Sequence, residues 1–486
     1  MVLQQDKKQR SRIHGGLVFK VSAFGNIETA PLPSTVQINF DKRSQIDKRS
    51  QIAVSIGDHV LTGQPLTLMD NQTVVSHASV SGLVTTISAN TIIIESDQSD
   101  SAYRYRKPQL KNRGDYQTFF RSMGLVGLGG AGFPVSDKLD SIKPRTLLIN
   151  AAECDPAIYC DEALMQERSA KIIKGIEIAL IATGATQCII GIEANKSKAI
   201  EQMKKHLPDH MQMIRVPAIY PSGAERTLHT LCTGKFGRLK DNNTICFNVA
   251  TCYAMYCAVN HLKPVISRIV TVVQKNAIRN FEVRIGTSLL ELQNSLSEPL
   301  TDTLICGGKM MGRPVTSGHC VDKRSNSVLA SNHQNHAPLP CIRCGACEEV
   351  CPENLLPQQL FWHTEPHNTS ALNELNLDQC IECGCCDAVC PSHLPLAGLF
   401  GKARQHINTK KTEQEKAALA KYRYEKRLTR QNEQAVRQRR KLDSKTAVLT
   451  DKEKSEDAKK ALIAKALQRK KSKKNPDPDQ RPAQDT

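Results

Sequence analysis

Aromatic residues are scarce in this chain: they make up 4% of it, with a single tryptophan, Trp362. Proteins that read single strands or RNA need ring faces on which bases stack, so this poverty argues against such a surface. Long apolar runs are also missing. The most hydrophobic stretch, Lys171 to Glu193, contains Lys174 and Glu177 and is broken at Thr183-Gly184-Ala185-Thr186. It falls short of the roughly 18 clean apolar residues a membrane span requires, and no transmembrane helix is expected. The opening residues MVLQQDKKQRSR are charged and carry no apolar core of a signal peptide, so export is not expected.

What the chain does have is length, charge and cysteine. Its 486 residues correspond to roughly three globular units at about 150 residues each. The net charge of +18 would suggest nucleic-acid binding if it were evenly spread. It is not, because residues 401–486 hold 26 Lys and Arg against 12 Asp and Glu, which places +14 of the excess there. Basicity therefore describes an appendage, and no nucleic-acid partner is expected of the body.

Eighteen cysteines in a chain without an export signal read as thiols, metal ligands or catalysts before disulfides. Cys341-Ile-Arg-Cys344-Gly-Ala-Cys347-Glu-Glu-Val-Cys351-Pro352 is C-x2-C-x2-C-x3-C-P, and Cys380-Ile-Glu-Cys383-Gly-Cys385-Cys386-Asp-Ala-Val-Cys390-Pro391 repeats it. Three thiolates on one tight loop cap three irons of a cubane, and the fourth iron needs a distant thiolate. In two-cluster ferredoxins the fourth Cys of each run ligates the other cluster. The expected ligand sets are therefore Cys341, Cys344, Cys347 and Cys390 for one 4Fe–4S cluster, and Cys380, Cys383, Cys386 and Cys351 for the second. Structural zinc is the competing reading of C-x2-C, but zinc does not call for this order. Cys385 is expected to be a non-ligating neighbour. The other cysteines, among them Cys154, Cys160, Cys246, Cys252 and Cys257, are expected to be buried thiols acting as small hydrophobes.

A pair of clusters conducts single electrons and does no substrate chemistry, so another part of the chain must collect or deliver them. Gly127-Leu128-Gly129-Gly130-Ala131-Gly132-Phe133-Pro134 is dense enough in glycine for backbone amides to approach a phosphate. Strand-like 146–152, helix-like 162–182, strand-like 188–191, helix-like 195–206 and strand-like 211–216 follow. That alternation predicts a parallel α/β sheet with ligands at the carboxyl ends of its strands.

The glycine loop with Lys138, then Asn150-Ala151-Ala152-Glu153-Cys154-Asp155-Pro156, Tyr220-Pro221-Ser222-Gly223-Ala224-Glu225 and Asn248-Val249-Ala250-Thr251, resemble in their order the FMN- and NADH-binding subunit of respiratory complex I and related diaphorases. Those proteins carry one C-terminal cluster motif. The combination with two ferredoxin-type runs resembles the RnfC/RsxC component of the Rnf/Rsx ion-translocating oxidoreductases over roughly residues 10–400. The resemblance implies that Gly127, Gly129, Gly130, Gly132 and Lys138 cradle the flavin phosphate and face NADH, with Phe133 near the adenine. It further implies that Asn150 and Glu153 hold the flavin and nicotinamide ribose region. Gly223 and Glu225 would line the NADH entrance, and Asn248 and Thr251 would reach the FMN ribityl or phosphate. Glu153 and Glu225 are its candidate catalytic carboxylates. Two positions depart from the pattern: the diaphorase acid aligned with Ala152 is missing, and the Glu aligned with Asp155 is one methylene shorter.

Around this centre the expected α/β multidomain order is an N-terminal arm (1–33), a biotinyl/lipoyl-like β module (34–98), the Rossmann-like FMN/NADH domain (115–265), a β-grasp domain (266–330), the two-cluster ferredoxin-like domain (336–400) and a basic tail (401–486). The β module has no Lys between Leu66 and Ala78, where a carrier's swinging arm would attach, and His59 and His77 are read as ordinary surface or turn residues. DKRSQI at 41–46 recurs at 47–52 as a local loop expansion. Gly307-Gly308 is read as a β-turn without chemistry. The tail is expected to be helical in part and disordered from Lys470, with adhesion to an anionic membrane surface as its sharper role. The implied protein is a peripheral subunit on the cytoplasmic face of the inner membrane, which exchanges electrons between NADH and ferredoxin through FMN and two clusters beside other subunits of a complex. The alternatives are a soluble diaphorase subunit and a cluster scaffold with a degenerate nucleotide pocket.

Overall fold

The computed structural model describes residues 14–19, 24–40, 52–69, 74–88, 90–274, 277–296, 303–315, 318–331, 337–364 and 368–472. The DKRSQI repeat, apart from Ile52, and the tail beyond Ser472 lie outside these residues. The chain divides into a body ending at Arg404 and a second unit from Gln405.

The N-terminal segment contributes β1 (Ile27–Thr29). A four-stranded antiparallel sheet follows from β2 (Thr35–Asn39), β3 (His59–Val60), β4 (Gly82–Ser88) and β5 (Thr91–Ser96), in the order β2-β5-β4-β3. Alternation decides its faces: Val36, Ile38, Val84, Ile92 and Ile94 point inward and are fully or almost fully buried. His59 is an exposed partner of Asp97 at 2.9 Å. His77 corrects the sequence expectation, because it is buried against Gly124 and Tyr105 and is not a surface histidine. Burial, then the nearby Lys323 ammonium, holds its imidazole down to about 3.

The central sheet contains β6 (Thr146–Ala151), β7 (Gln187–Glu193), β8 (Met211–Val216) and β9 (Thr244–Asn248). All pairings are parallel and the order is β8-β7-β6-β9. Leu147, Leu148 and Ile149 are buried in succession, as expected of a strand covered on both faces. The apolar run predicted not to span a membrane lies in the helix Cys160–Thr183 and β7. Gly184, at φ 70°, caps that helix in the left-handed region. Gly175 lets this helix press on the helix Val249–His261, since a Cβ there would sit 1.9 Å from the Cys252 carbonyl oxygen. Among the described residues no helix is long and apolar enough to cross a membrane.

A third sheet comprises β10 (Ser267–Gln274), β11 (Ala277–Arg284), β12 (Thr303–Cys306), β13 (Arg313–Pro314) and β14 (Ser327–Ser331). Its edge is β1, paired in parallel with β11. Part of the N-terminal arm is therefore a strand of a sheet whose other strands lie more than two hundred residues downstream. The helix Leu396–Ser472 is exposed from Asn408 to Lys471.

Candidate functional site

The glycine loop joins the helices Arg113–Ser122 and Val135–Ser141 and leans on the start of the helix Val249–His261. Gly127 N donates to Phe133 O at 2.8 Å, Gly132 N to Gly127 O at 3.1 Å, and Leu128 N to Thr251 Oγ1 at 2.9 Å. The amides of Gly129, Gly130 and Ala131 donate to no other group of the described protein. Successive backbone N–H groups without a protein acceptor, on the wall of a cleft, are of the kind that bind anions. Gly130 is at φ 104°, a conformation other residues rarely adopt. The cradle thus suits a phosphate, and FMN supplies one.

The loop opens onto a cleft of about 900 Å³. Its walls include Gly127, Gly129, Gly130, Phe133, Lys138, Asn150, Glu153, Gly223, Glu225, Asn248 and Thr251. Gly132 stands just behind, against the Arg324 side chain. Four segments spread over 125 residues converge here because β6 and β9 are neighbours in a parallel sheet and end on the same side. Asn150 donates to Gly223 O at 2.8 Å. Lys138 pairs with Glu225 at 2.7 Å and lies 5.7 Å from the centre of the Phe247 ring. Phe133 is half exposed at the rim.

Glu153 is buried, and its carboxylate accepts from the amides of Asp161 (2.9 Å) and Glu162 (3.0 Å) at the start of the helix Cys160–Thr183. Burial, and then the Asp161 carboxylate, pushes its pKa up to about 8. Asp161 is raised in turn by burial, although Asn248 donates to it at 2.5 Å. Behind them Lys196 holds Glu162 at 2.6 Å with both side chains buried. Burial and the neighbouring carboxylate thus favour the protonated form of Glu153, which lies on the wall of the cleft.

Several cleft-lining positions escaped sequence reasoning. Gly307, Gly308, Arg313, Asp322, Arg324 and Ser325 of the third domain form the opposite wall of the cleft. Asp155 docks this wall by accepting from Lys309 N at 2.8 Å and Met310 N at 3.1 Å. The Gly307–Gly308 turn, read as lacking chemistry, packs so tightly that a Cβ on Gly308 would overlap the Asp155 carboxylate. Arg268, also buried, donates to the carbonyls of Leu128, Lys323 and Ser325 and ties the glycine loop to the same wall. A shortened acid at 155 was the available signal, but its partner is distant in sequence.

The cysteine runs are backbone twins. Arg343 and Glu382, Gly345 and Gly384, and Asn354 and His393 occupy matching positions, all at positive φ. One small cavity is lined by Cys341, Cys344, Cys347 and Cys390, and another by Cys351, Cys380, Cys383, Cys385 and Cys386. The tertiary fold thus brings together each crosswise set of four expected from the spacing. Every cysteine of the chain is a free thiol, so each cavity offers a complete donor set for iron. Cys160, Cys188, Cys232, Cys246 and Cys252 are buried, while Cys154 and Cys257 are partly so.

Three family models match in register with this architecture. The Nuo51 FMN-binding domain matches residues 120–257, the 4Fe–4S dicluster domain 340–394 and the RnfC barrel sandwich hybrid domain 12–101. The C component of the "Ion-translocating oxidoreductase complex" of Salmonella arizonae is 36% identical over 468 residues, covering 89% of this chain and 68% of that protein. The chain belongs to this RnfC family. Its members in Klebsiella pneumoniae (36% identical, 87% of this chain, 60% of that protein) and Vibrio cholerae (36% identical, 82% and 56%) bear the same name. The chain spans about 60% of the length of the first of these relatives. A solved NAD+-reducing NiFe-hydrogenase in the air-oxidised state aligns with TM-score 0.43 and 17% identity, covering 59% of this chain and 60% of the other. The family match assigns FMN to the central domain and 4Fe–4S clusters to the cysteine runs.

Proposed function

We propose that this chain is the peripheral electron-transfer subunit of a membrane-bound oxidoreductase that couples electron exchange between NADH and a ferredoxin-type carrier to ion translocation. One observation carries the reading: Ile381 and Cys383 line both the nucleotide cleft and the cavity of the second cysteine set. That adjacency supports a route from the cleft to the cluster of Cys351, Cys380, Cys383 and Cys386, and from there to the cluster of Cys341, Cys344, Cys347 and Cys390. FMN converts a two-electron hydride donor into a source of single electrons, which the clusters require.

The chain's own residues supply the rest. The free amides of Gly129 to Ala131 receive the flavin phosphate, with Gly127 and Gly132 closing the loop that presents them. Lys138 and Glu225 form a charged pair at the nicotinamide entrance, bordered by Gly223 and by Phe133 at the rim. Asn150, Asn248 and Thr251 orient the ribose and ribityl region. Glu153, whose protonated form is favoured by burial and by Asp161, would offer a proton beside the flavin. In the finer fold reading, the central domain is Rossmann-like, the third is a β-grasp and the module at 34–98 is biotinyl-like. The tail, with most of the net positive charge, would rest on an anionic surface on the cytoplasmic side.

Anaerobic addition of NADH to the cluster-reconstituted protein supplied with FMN tests the proposal. Flavin absorbance should bleach first, and reduced-cluster EPR signals should follow. Clusters that dithionite reduces but NADH leaves oxidised, with the flavin unbleached at any FMN level, would reduce the protein to a cluster scaffold.

A further inference from the structure

A short segment that neither the cleft nor the clusters account for runs between them. His14 donates from Nδ1 to the carbonyl oxygen of Cys351 at 2.9 Å, and Gly16 N donates to Val350 O at 3.0 Å. At the next residue the segment changes partner. Leu17 and Tyr220 exchange a pair of backbone hydrogen bonds at 2.9 and 2.8 Å, and the Phe19 ring meets the Tyr220 ring edge-on at 6.3 Å. Tyr220 lines the nucleotide cleft, and its hydroxyl donates to Cys383 O at 2.6 Å.

The two glycines make this crossing possible. Both have positive φ, 60° at Gly15 and 80° at Gly16. A Cβ on Gly15 would lie 2.5 Å from the Val350 carbonyl carbon, and one on Gly16 would lie 2.6 Å from Tyr220 O and 2.7 Å from Ile219 Cγ2. No real contact is that short, and two of these three obstacles are backbone, which cannot turn aside as a side chain can.

We propose that His14–Phe19 is a brace that sets the separation between the nucleotide cleft and the iron–sulfur centre of Cys351, Cys380, Cys383 and Cys386, and so governs electron transfer between them. One end grips a cluster ligand and the other grips a cleft-lining tyrosine, with no slack residue between. Groups around a metal ligand orient it and tune the centre. His14 and Gly16 act as positioning residues. The inference rests on the route described under Proposed function.

The test uses the full chain loaded with FMN and iron. In Gly16→Val, flavin bleaching by NADH should proceed at the parent rate while the following cluster reduction slows several-fold, because electron transfer weakens steeply as the centres separate. Iron content should be unchanged. Gly57→Ala is the control, because Gly57 also has positive φ (92°) but has open space where a Cβ would go. His14→Ala introduces no clash and removes one donor. In a dithionite titration it should shift the midpoint potential of the cluster ligated by Cys351 to more negative values relative to the other. Cluster reduction at the parent rate in Gly16→Val, equal slowing of both steps, or the same slowing in Gly57→Ala would each overturn the brace. If the parent itself shows no NADH-driven bleaching, the functional reading fails, and the His14→Ala potential shift still decides the brace by its presence or absence.

Discussion

The nucleotide cleft and the iron–sulfur domain solve the same problem, holding a redox cofactor, with opposite means. The cleft is backed by a parallel sheet and a large core that includes Leu147, Ile149, Ile172, Ile176, Ile190 and Ile192. The described residues between 337 and 395 form only short helices, the longest of eight residues. Buried apolar residues of the cluster domain are few, among them Leu355, Leu360, Leu372, Leu377 and Phe400. With so few buried apolar residues, the segment offsets little of its ordering entropy by burial, and metal ligation is expected to supply much of the rest. The flavin domain has a core and receives its cofactor, whereas the cluster domain depends on its cofactor in place of a core.

That contrast is broken or sharpened by three measurements. The largest effect is expected from iron: chelation under reducing conditions should abolish amide protection across 337–400 while leaving β6 to β9 protected in hydrogen exchange. Equal protection of both regions would erase the distinction. Next comes Arg268→Ala, which strips the donor from three carbonyls. It should cost about 3 kcal/mol in urea unfolding of the flavin domain, the scale for orphaning buried partners of a charged group, with iron content unchanged.

Over any single pH unit, the smallest effect belongs to Glu153. Its folded-state pKa is raised from 4.5 to about 8, so between these values the folded protein holds a proton that the unfolded chain has released. Stability should therefore be greatest below about pH 4.5 as far as this group is concerned, and should fall as pH rises toward 8, by up to about 1.4 kcal/mol per unit. Glu153→Gln should flatten that part of the profile of melting temperature against pH, measured before FMN is added. An unchanged slope would assign it to another group, such as Glu193, which burial raises to about 7.

The two regions also differed in how readable they were. The two sets of cysteines that gather in the small cavities were legible because geometry around a cubane dictates spacing within a few residues. Half of the cleft was legible too, since Asn150, Glu153 and Asn248 sit at or just past strand ends, where ligands gather in parallel sheets, and the glycine loop and Glu225 belong to the same ordered motif. The other half was not. Gly307–Gly308 and Arg324 gain their place through contacts with Asp155 and Gly132, and no local pattern records a partner more than 150 residues away. His77 was misread for a related reason: a histidine in a turn gives no sign that another domain will cover it.

By itself, then, the amino-acid order determined the two cluster-type cysteine runs, the parallel sheet and the confinement of charge to the tail, because each depends on spacing or composition within a short window. Tertiary structure alone decided that the third domain closes the cleft, that Cys383 stands at both the cleft and a cluster cavity, and that the first described residues clasp the two together. These depend on which surfaces meet after folding, and chain separation carries no local trace of that meeting.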